Sequence, residues 1–233
     1  MIMSSVNVSA QTIDVLKSFE EVNKSIMFRK GNLINSRSLG SNIVAEYQCE
    51  EEFPEDFPVY ELSRFLSGLA LFESPSLWFN SEEYVTIRNS RGNRSGRYFY
   101  SDPSIVEDAS PERRVKFPEE TVVMQFKISN SDLDSLLRAR TIYDINDLRI
   151  EGSDSGISIT LFDSDNETNN TFRLDLPGSS STDQIALMKI NNILAAKSVK
   201  GDYDVSITDN LITRWKHTTL DLVYYIATEE DED

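Results

Sequence analysis

The sequence predicts an α+β chain of two similar domains, each a pair of helices packed on antiparallel sheet. Four stretches carry apolar residues at helical spacing, and short alternating runs bounded by turn residues lie between them. The order helix, strands, helix, strands occurs twice, a duplication visible in pattern rather than in residue identity. An aperiodic stretch from Asp102 to Glu120, punctuated by Pro103, Pro111 and Pro118, separates the halves. The expected division is an N-terminal domain over 1–110, a connector over 111–120, and a C-terminal domain over 121–233 ending in an acidic tail. Helices with one apolar stripe bury it on a sheet and leave the polar face outside.

In the first half, Ser9 to Lys24 reads as a helix capped by Ser9, with Ile13, Leu16 and Phe19 as its stripe, broadened by Val15 and Val22. Its other face is mixed: Asp14, Lys17, Glu21 and Lys24. Ile26-Met27-Phe28 reads as a strand that turns at Lys30-Gly31-Asn32 and returns along Leu33 to Ser38 as a hairpin. A second turn at Leu39 to Asn42 leads to a strand over Ile43 to Cys49. The acids from Glu50 to Asp56, broken by Pro54 and Pro58, read as a solvated loop. Tyr60 to Phe72 is the second helix, with Leu62, Phe65, Leu66 and Leu69 inward and Arg64 outward; Pro75 lies past its stop. Strands are expected at Leu77-Trp78-Phe79, Glu83 to Ile87 and Tyr98-Phe99-Tyr100. Between the last two, Arg88 to Arg97 holds four arginines in a turn-rich loop. It is either a phosphate or acidic-partner contact or a solubilised hairpin tip.

In the second half, Thr121 to Ile128 alternates as a strand and leads into a helix over Ser131 to Tyr143. Ser131 and Asp134 are its expected capping box, Leu133, Leu136 and Leu137 its apolar face, and Arg138 and Arg140 its late basic residues. Strands are expected at Leu148-Arg149-Ile150, Ile157 to Phe162, Thr171 to Leu176 and Ile185 to Ile190, with a loop over Gly178 to Thr182. A short fourth helix over Asn191 to Lys197 precedes Gly201, and strands at Val205-Ser206-Ile207, Leu211 to Trp215 and Leu220 to Ile226 close the chain.

Composition narrows the function. Aromatic residues make up 10% of 233 residues, enough for a real core. The longest apolar runs are too short to span a membrane, and Met1 to Ala10 lacks an apolar signal region, so an intracellular location is expected. Cys49 is the single cysteine, which excludes an intrachain disulfide and a cysteine metal cluster. Asp163-Ser164-Asp165-Asn166-Glu167 resembles a calcium loop, but Thr168 stands where glycine is required, so it reads as a hairpin turn. His217, the only histidine, reads as an exposed turn residue. No phosphate loop, dinucleotide fingerprint or catalytic pair is present, so no enzyme, cofactor or metal is expected. The net charge of −16 argues against a protein that coats nucleic acid, yet allows a local basic lining.

Taken in order, several fragments resemble the sliding clamps of T-even-type bacteriophages, the DNA polymerase processivity factors. They are Leu16-Lys17, Phe19, Asn23, Ile26-Met27 and Gly31; then Tyr60, Leu62 and Phe65-Leu66; then Asp102-Pro103-Ser104, Val106 and Phe117-Pro118. Leu136-Leu137-Arg138, Ile190-Asn191, Gly201 and Tyr203 complete them. The arginine-rich tip, Glu112-Arg113-Arg114 and the acidic tail depart from the family pattern.

The resemblance implies the DNA clamp fold and a homotrimer closed head to tail into a ring around duplex DNA. Each subunit would contribute four helices to the hole, in the cytoplasm of an infected bacterium. Lys17, Lys24, Arg64, Arg138, Arg140, Lys189, Lys197 and Lys200 are the expected DNA-facing residues, touching backbone without reading sequence. Implied partners are the phage polymerase and an ATPase clamp loader, with no membrane. Val115, Phe117, Pro118, Tyr225 and Ile226 are the expected patch for partner peptides. The alternative is a non-enzymatic structural or interaction protein of a virion with a duplicated α+β fold. Basic polar helix faces favour the clamp; mixed faces favour the alternative.

Overall fold

The computed structural model describes residues 4–106, 115–153, 156–166, 168–181 and 183–229, and the chain divides into two units at Arg114/Val115. Residues 111–114 of the expected connector and 230–233 of the acidic tail lie outside the described residues.

The first unit comprises β1 (Ser4–Asn7), α1 (Ala10–Val22), β2 (Ile26–Phe28), β3 (Gly31–Arg37), β4 (Ile43–Phe53), β5 (Phe57–Val59), α2 (Leu62–Ala70), β6 (Ser76–Phe79), β7 (Tyr84–Arg88) and β8 (Ser95–Phe99). Strands β1, β6, β7 and β8 pair antiparallel in that order, β2 pairs with β5, and β3 with β4. The expected hairpin of β2 with the returning strand is therefore replaced. Asp56 accepts a hydrogen bond from the Lys30 amide at 2.7 Å and ion-pairs with Arg29 at 2.6 Å, tying the end of β2 to the start of β5. Gly31, at φ +110°, turns the chain there, a conformation that side-chain-bearing residues rarely adopt.

The acid-rich segment is a loop only over residues 54–56, which hold Glu55 and Asp56; its first half is strand. Strand β4 runs on as far as Phe53, with Cys49, Glu51 and Phe53 buried and Glu50 and Glu52 exposed. The alternation of a half-buried strand was there, with Glu51 in an inward position. Glu51 accepts from the Ser9 amide and the Thr12 hydroxyl, both at 2.7 Å, and so anchors the start of α1, where Ser9 caps Thr12 at 3.1 Å. Burial pushes the Glu51 carboxyl up, and the bonds from Ser9 and Thr12 outweigh it and hold it below the usual range. Helix α2 has no side-chain cap; its first amide, on Leu62, donates to the Lys24 carbonyl at 2.8 Å. Phe28 and Phe57 stack at 4.4 Å, with Phe53, Phe65 and Phe79 around them as the core.

The second unit comprises β9 (Val122–Ile128), α3 (Asn130–Tyr143), β10 (Asp147–Ser153), β11 (Gly156–Phe162), β12 (Phe172–Leu176), β13 (Gly178–Ser180), β14 (Gln184–Lys189), α4 (Leu194–Ser198), β15 (Tyr203–Thr208), β16 (Ile212–His217) and β17 (Leu222–Ala227). Its sheets run β12-β11-β10-β14 and β13-β9-β15-β16-β17. The segment expected as a loop from Gly178 is the edge strand β13, and α4 is a short helix after a 3₁₀ turn over Ile190–Ile193. The capping box of α3 is Ser129 with Asp132, two residues before the expected pair. The inward residues are Leu133, Leu136 and Ala139, with Leu137 half-buried.

His217 is buried at the end of β16 rather than exposed in a turn. Its Nδ1 accepts from the Thr219 and Leu220 amides at 3.2 and 3.1 Å, which leaves Nε2–H to donate to the Lys200 carbonyl at 3.1 Å. The ring stands edge-on to Tyr203 and closes against Gly201, which has φ +147°.

The duplication is real at the level of topology. The order β1-β6-β7-β8 in the first unit reappears as β9-β15-β16-β17 in the second; likewise β5-β2 reappears as β14-β10 and β3-β4 as β11-β12. In each unit one helix follows the first strand and the second precedes the last three strands.

Candidate nucleic-acid interface

The polar helix faces carry cations, but carboxylates accompany most of them. On α1, Lys17 pairs with Asp14 at 2.8 Å, and Lys24, just past the helix, lies 3.7 Å from Glu20. Arg64 of α2 pairs with Glu61 at 2.8 Å. In the second unit Lys197 of α4 reaches Asp134 of α3 at 3.0 Å, linking the two helices. The exposed pairs Lys17–Asp14 and Arg64–Glu61 stabilise by only about 0.2–1 kcal/mol each. The faces are thus charge-compensated, not the basic wall that the clamp reading expected.

Three of the expected cations escape pairing. Arg138 is exposed on α3 and Lys200 is exposed after α4, both without an ion pair among the described residues. Arg140 donates from Nε to the neutral Asn146 amide oxygen at 3.2 Å. Lys189 is not on a helix: it ends β14 and pairs with Asp147 of β10. Burial pushes the Asp147 carboxyl up, but Lys189 and the Ser164 amide and hydroxyl hold it below the usual range. Asp147 in turn raises Lys189. Asp147 thus holds Lys189 and Ser164 together, since Ser164 donates to the same carboxylate at 2.9 Å.

Two of the four loop arginines are also committed to the first unit's sheet. Arg88 lies over Trp78 at 4.7 Å and Arg97 over Tyr84 at 4.8 Å, while Arg91 and Arg94 remain exposed at the tip. Of the expected peptide patch, Phe117 and Tyr225 come together with ring centroids 6.1 Å apart, and Val115 and Pro118 are half-buried in the same segment. Ile226 is corrected to core: it is 1% exposed, because alternation along β17 turns it inward while Tyr225 faces out. The sequence reading missed Arg214, whose guanidinium lies 4.3 Å over Phe117 and pairs with Glu119. Among the described residues no group of three or more metal-ligating side chains clusters, and no helix is long and apolar enough to cross a membrane.

Comparison with known proteins places these features in context. A family model described as DNA polymerase processivity factor matches residues 9–77. The sliding clamp of Vibrio phage KVP40 is 28% identical over 221 residues, covering 94% of this chain and 96% of that protein. The sliding clamp of Enterobacteria phage T4 is 28% identical over 157 residues, 66% of this chain and 65% of its own. Among solved structures, proliferating cellular nuclear antigen from Entamoeba histolytica superposes with a TM-score of 0.73 at 12% identity, covering 98% of both chains. That of A. fulgidus, bound to the C-terminal region of FEN-1, does so with 0.71 at 12% identity over the whole of both.

Proposed function

We infer that the chain is a sliding clamp of the T-even phage type, a processivity factor for DNA polymerase. The observation that carries the inference is the repeated topology, found in a chain similar along nearly its whole length to a phage clamp. Three copies of a two-unit chain supply six similar domains, and a head-to-tail contact with suitable rotation closes into a ring. Strand β8 ends one sheet and β12 ends another, so each has an edge unpaired among the described residues. Pairing of β8 with β12 of the next copy hides both edges.

Inside such a ring the helix faces meet the duplex backbone. Arg138, Arg140 and Lys200 supply the net attraction, while Lys17, Lys24, Arg64 and Lys197 face the duplex already paired with carboxylates and add little; Lys189 has its own structural pair. With no base-edge contact to fix a register, the clamp slides. The clamp acts as a tether: a polymerase bound to the ring stays at high effective concentration near the primer end. The peptide-docking surface we assign is Val115, Phe117, Pro118 and Tyr225, with Arg214 holding Phe117 in place. An ATPase loader opens the ring in the cytoplasm of the infected host.

The compensated helix faces favour a second reading, a virion protein of duplicated fold, but that reading leaves the end-to-end similarity to a clamp unexplained. Sedimentation equilibrium and primer extension test the assignment. The expected results are a species of three times the 26.5 kDa chain mass and, with the cognate loader and ATP present, longer products from the phage's own polymerase on a singly primed circle. A monomer at high concentration, with product length unchanged, overturns it.

A further inference from the structure

We propose that the carboxylates beside the helix cations, Asp14, Glu20, Glu61 and Asp134, are a built-in limit on DNA grip. The proposal rests on the clamp reading, in which the duplex runs past these faces. Each carboxylate sits within ion-pair distance of a cation that would otherwise meet phosphate: 2.8 Å to Lys17, 3.7 Å to Lys24, 2.8 Å to Arg64 and 3.0 Å to Lys197. The pairs occur in both units. Three come from spacing of three or four residues within or beside one helix, and the fourth joins two helices.

A cation whose carboxylate neighbour stays beside it is locally neutral. It can rotate to a phosphate, but the acid left behind then faces the same phosphate and opposes the contact. Such a couple displaces little of the condensed counterion layer, so it adds little to affinity or to its salt dependence. A lone lysine or arginine adds about 0.9 to the slope of log K against log salt for each phosphate neutralised. Of the expected lining cations, only Arg138, Arg140 and Lys200 lack an ion pair among the described residues. The arrangement keeps the lining adhesive enough to centre the duplex and too weak to stall on it.

The test compares the unmodified protein with two variants of equal charge change. One carries Asp14→Asn, Glu20→Gln, Glu61→Gln and Asp134→Asn. The other carries Glu50→Gln, Glu52→Gln, Glu82→Gln and Glu83→Gln, exposed acids on β4 and before β7. Binding of a fluorescein-labelled 30-base-pair blunt duplex is measured by anisotropy across a sodium chloride series. The expected result is at least tenfold tighter binding at low salt for the first variant, with a slope steeper by at least about one unit. The second variant is expected to shift by less than threefold with its slope unchanged. Equal gains in both variants overturn the proposal in favour of global charge, and no change in the first overturns it outright. The single substitutions Asp14→Asn and Glu61→Gln, both on exposed side chains, carry the same sign and serve if the fourfold variant does not assemble. Trimer mass and polymerase processivity of the unmodified protein read the clamp assignment separately. If those hold while the slopes stay equal, only the proposal fails.

Discussion

Replacing Glu51 by alanine tests how the first unit is assembled. The carboxylate is buried and accepts two hydrogen bonds, from the Ser9 amide and the Thr12 hydroxyl, at the start of α1. Hydrogen bonds to an ionised group contribute about 1.5–3 kcal/mol each, and removing the acceptor leaves two donors without their partner. The negative charge beside the positive end of α1 adds about 0.3–1 kcal/mol. Because the two bonds share one group, a loss of about 3 kcal/mol is expected for Glu51→Ala, and about half that for Glu51→Gln, which keeps one acceptor. Urea unfolding followed by circular dichroism at fixed protein concentration reads it. With a slope of about 1.5 kcal/mol per molar, the midpoint falls by about 2 M. The folded carboxyl titrates below its unfolded value, so its contribution is complete above an unfolded pKa of about 4.3 and is lost as pH falls through the folded value. The gap between wild type and Glu51→Ala is therefore widest at neutral pH and narrows below about pH 4. A gap under about 0.5 kcal/mol at pH 7, the range of featureless surface substitutions, would refute the reasoning. So would a gap that grows on acidification.

Further outcomes follow from single sites. Burial, helped by the nearby Glu51 charge, pushes the Cys49 thiol up to about 12, so a thiol reagent at pH 8 should leave the native protein unlabelled and react with one thiol per chain after unfolding. Asp132→Ala removes the reciprocal half of the α3 capping box and should cost about 1 kcal/mol, whereas Ser131→Ala should cost under about 0.5 in the same melt; the reverse order would restore the cap to Ser131. A methyl on Gly201 would meet His217 Nε2 at 2.2 Å in a strained backbone conformation, so Gly201→Ala should lower stability by about 2 kcal/mol or more in urea, and an unchanged midpoint would contradict the placement of that ring.

Much of the fold was legible in the chain. Ser9 and the Leu16–Phe19 stripe gave α1, and the Leu62, Phe65, Leu66 and Leu69 set gave α2, because those periods are local. The repeat was legible for the same reason. What was not legible depended on distant partners. Glu51 looked like one acid among many until β4 carried it beneath α1, and His217 looked exposed because the Lys200 carbonyl and Tyr203 ring that enclose it are distant in sequence. Three of the four neutralising pairs were readable as spacings of three or four, Asp14 to Lys17, Glu20 to Lys24 and Glu61 to Arg64. The Asp134–Lys197 pair was not, since it requires α3 and α4 to come together. Arg214 escaped notice because nothing local to β16 announces that Phe117 will lie beneath it.

The most direct measurement is retention on closed and cut DNA. Labelled protein is loaded onto a nicked plasmid by the cognate loader and ATP, freed of unbound protein, and then followed before and after a single restriction cut. A topological tether predicts that the protein stays on the circle at high salt and leaves within the time needed to diffuse to an end once the plasmid is linear. Equal loss from both forms, or equal persistence on both, would mean that the chain holds DNA by surface adhesion or not at all.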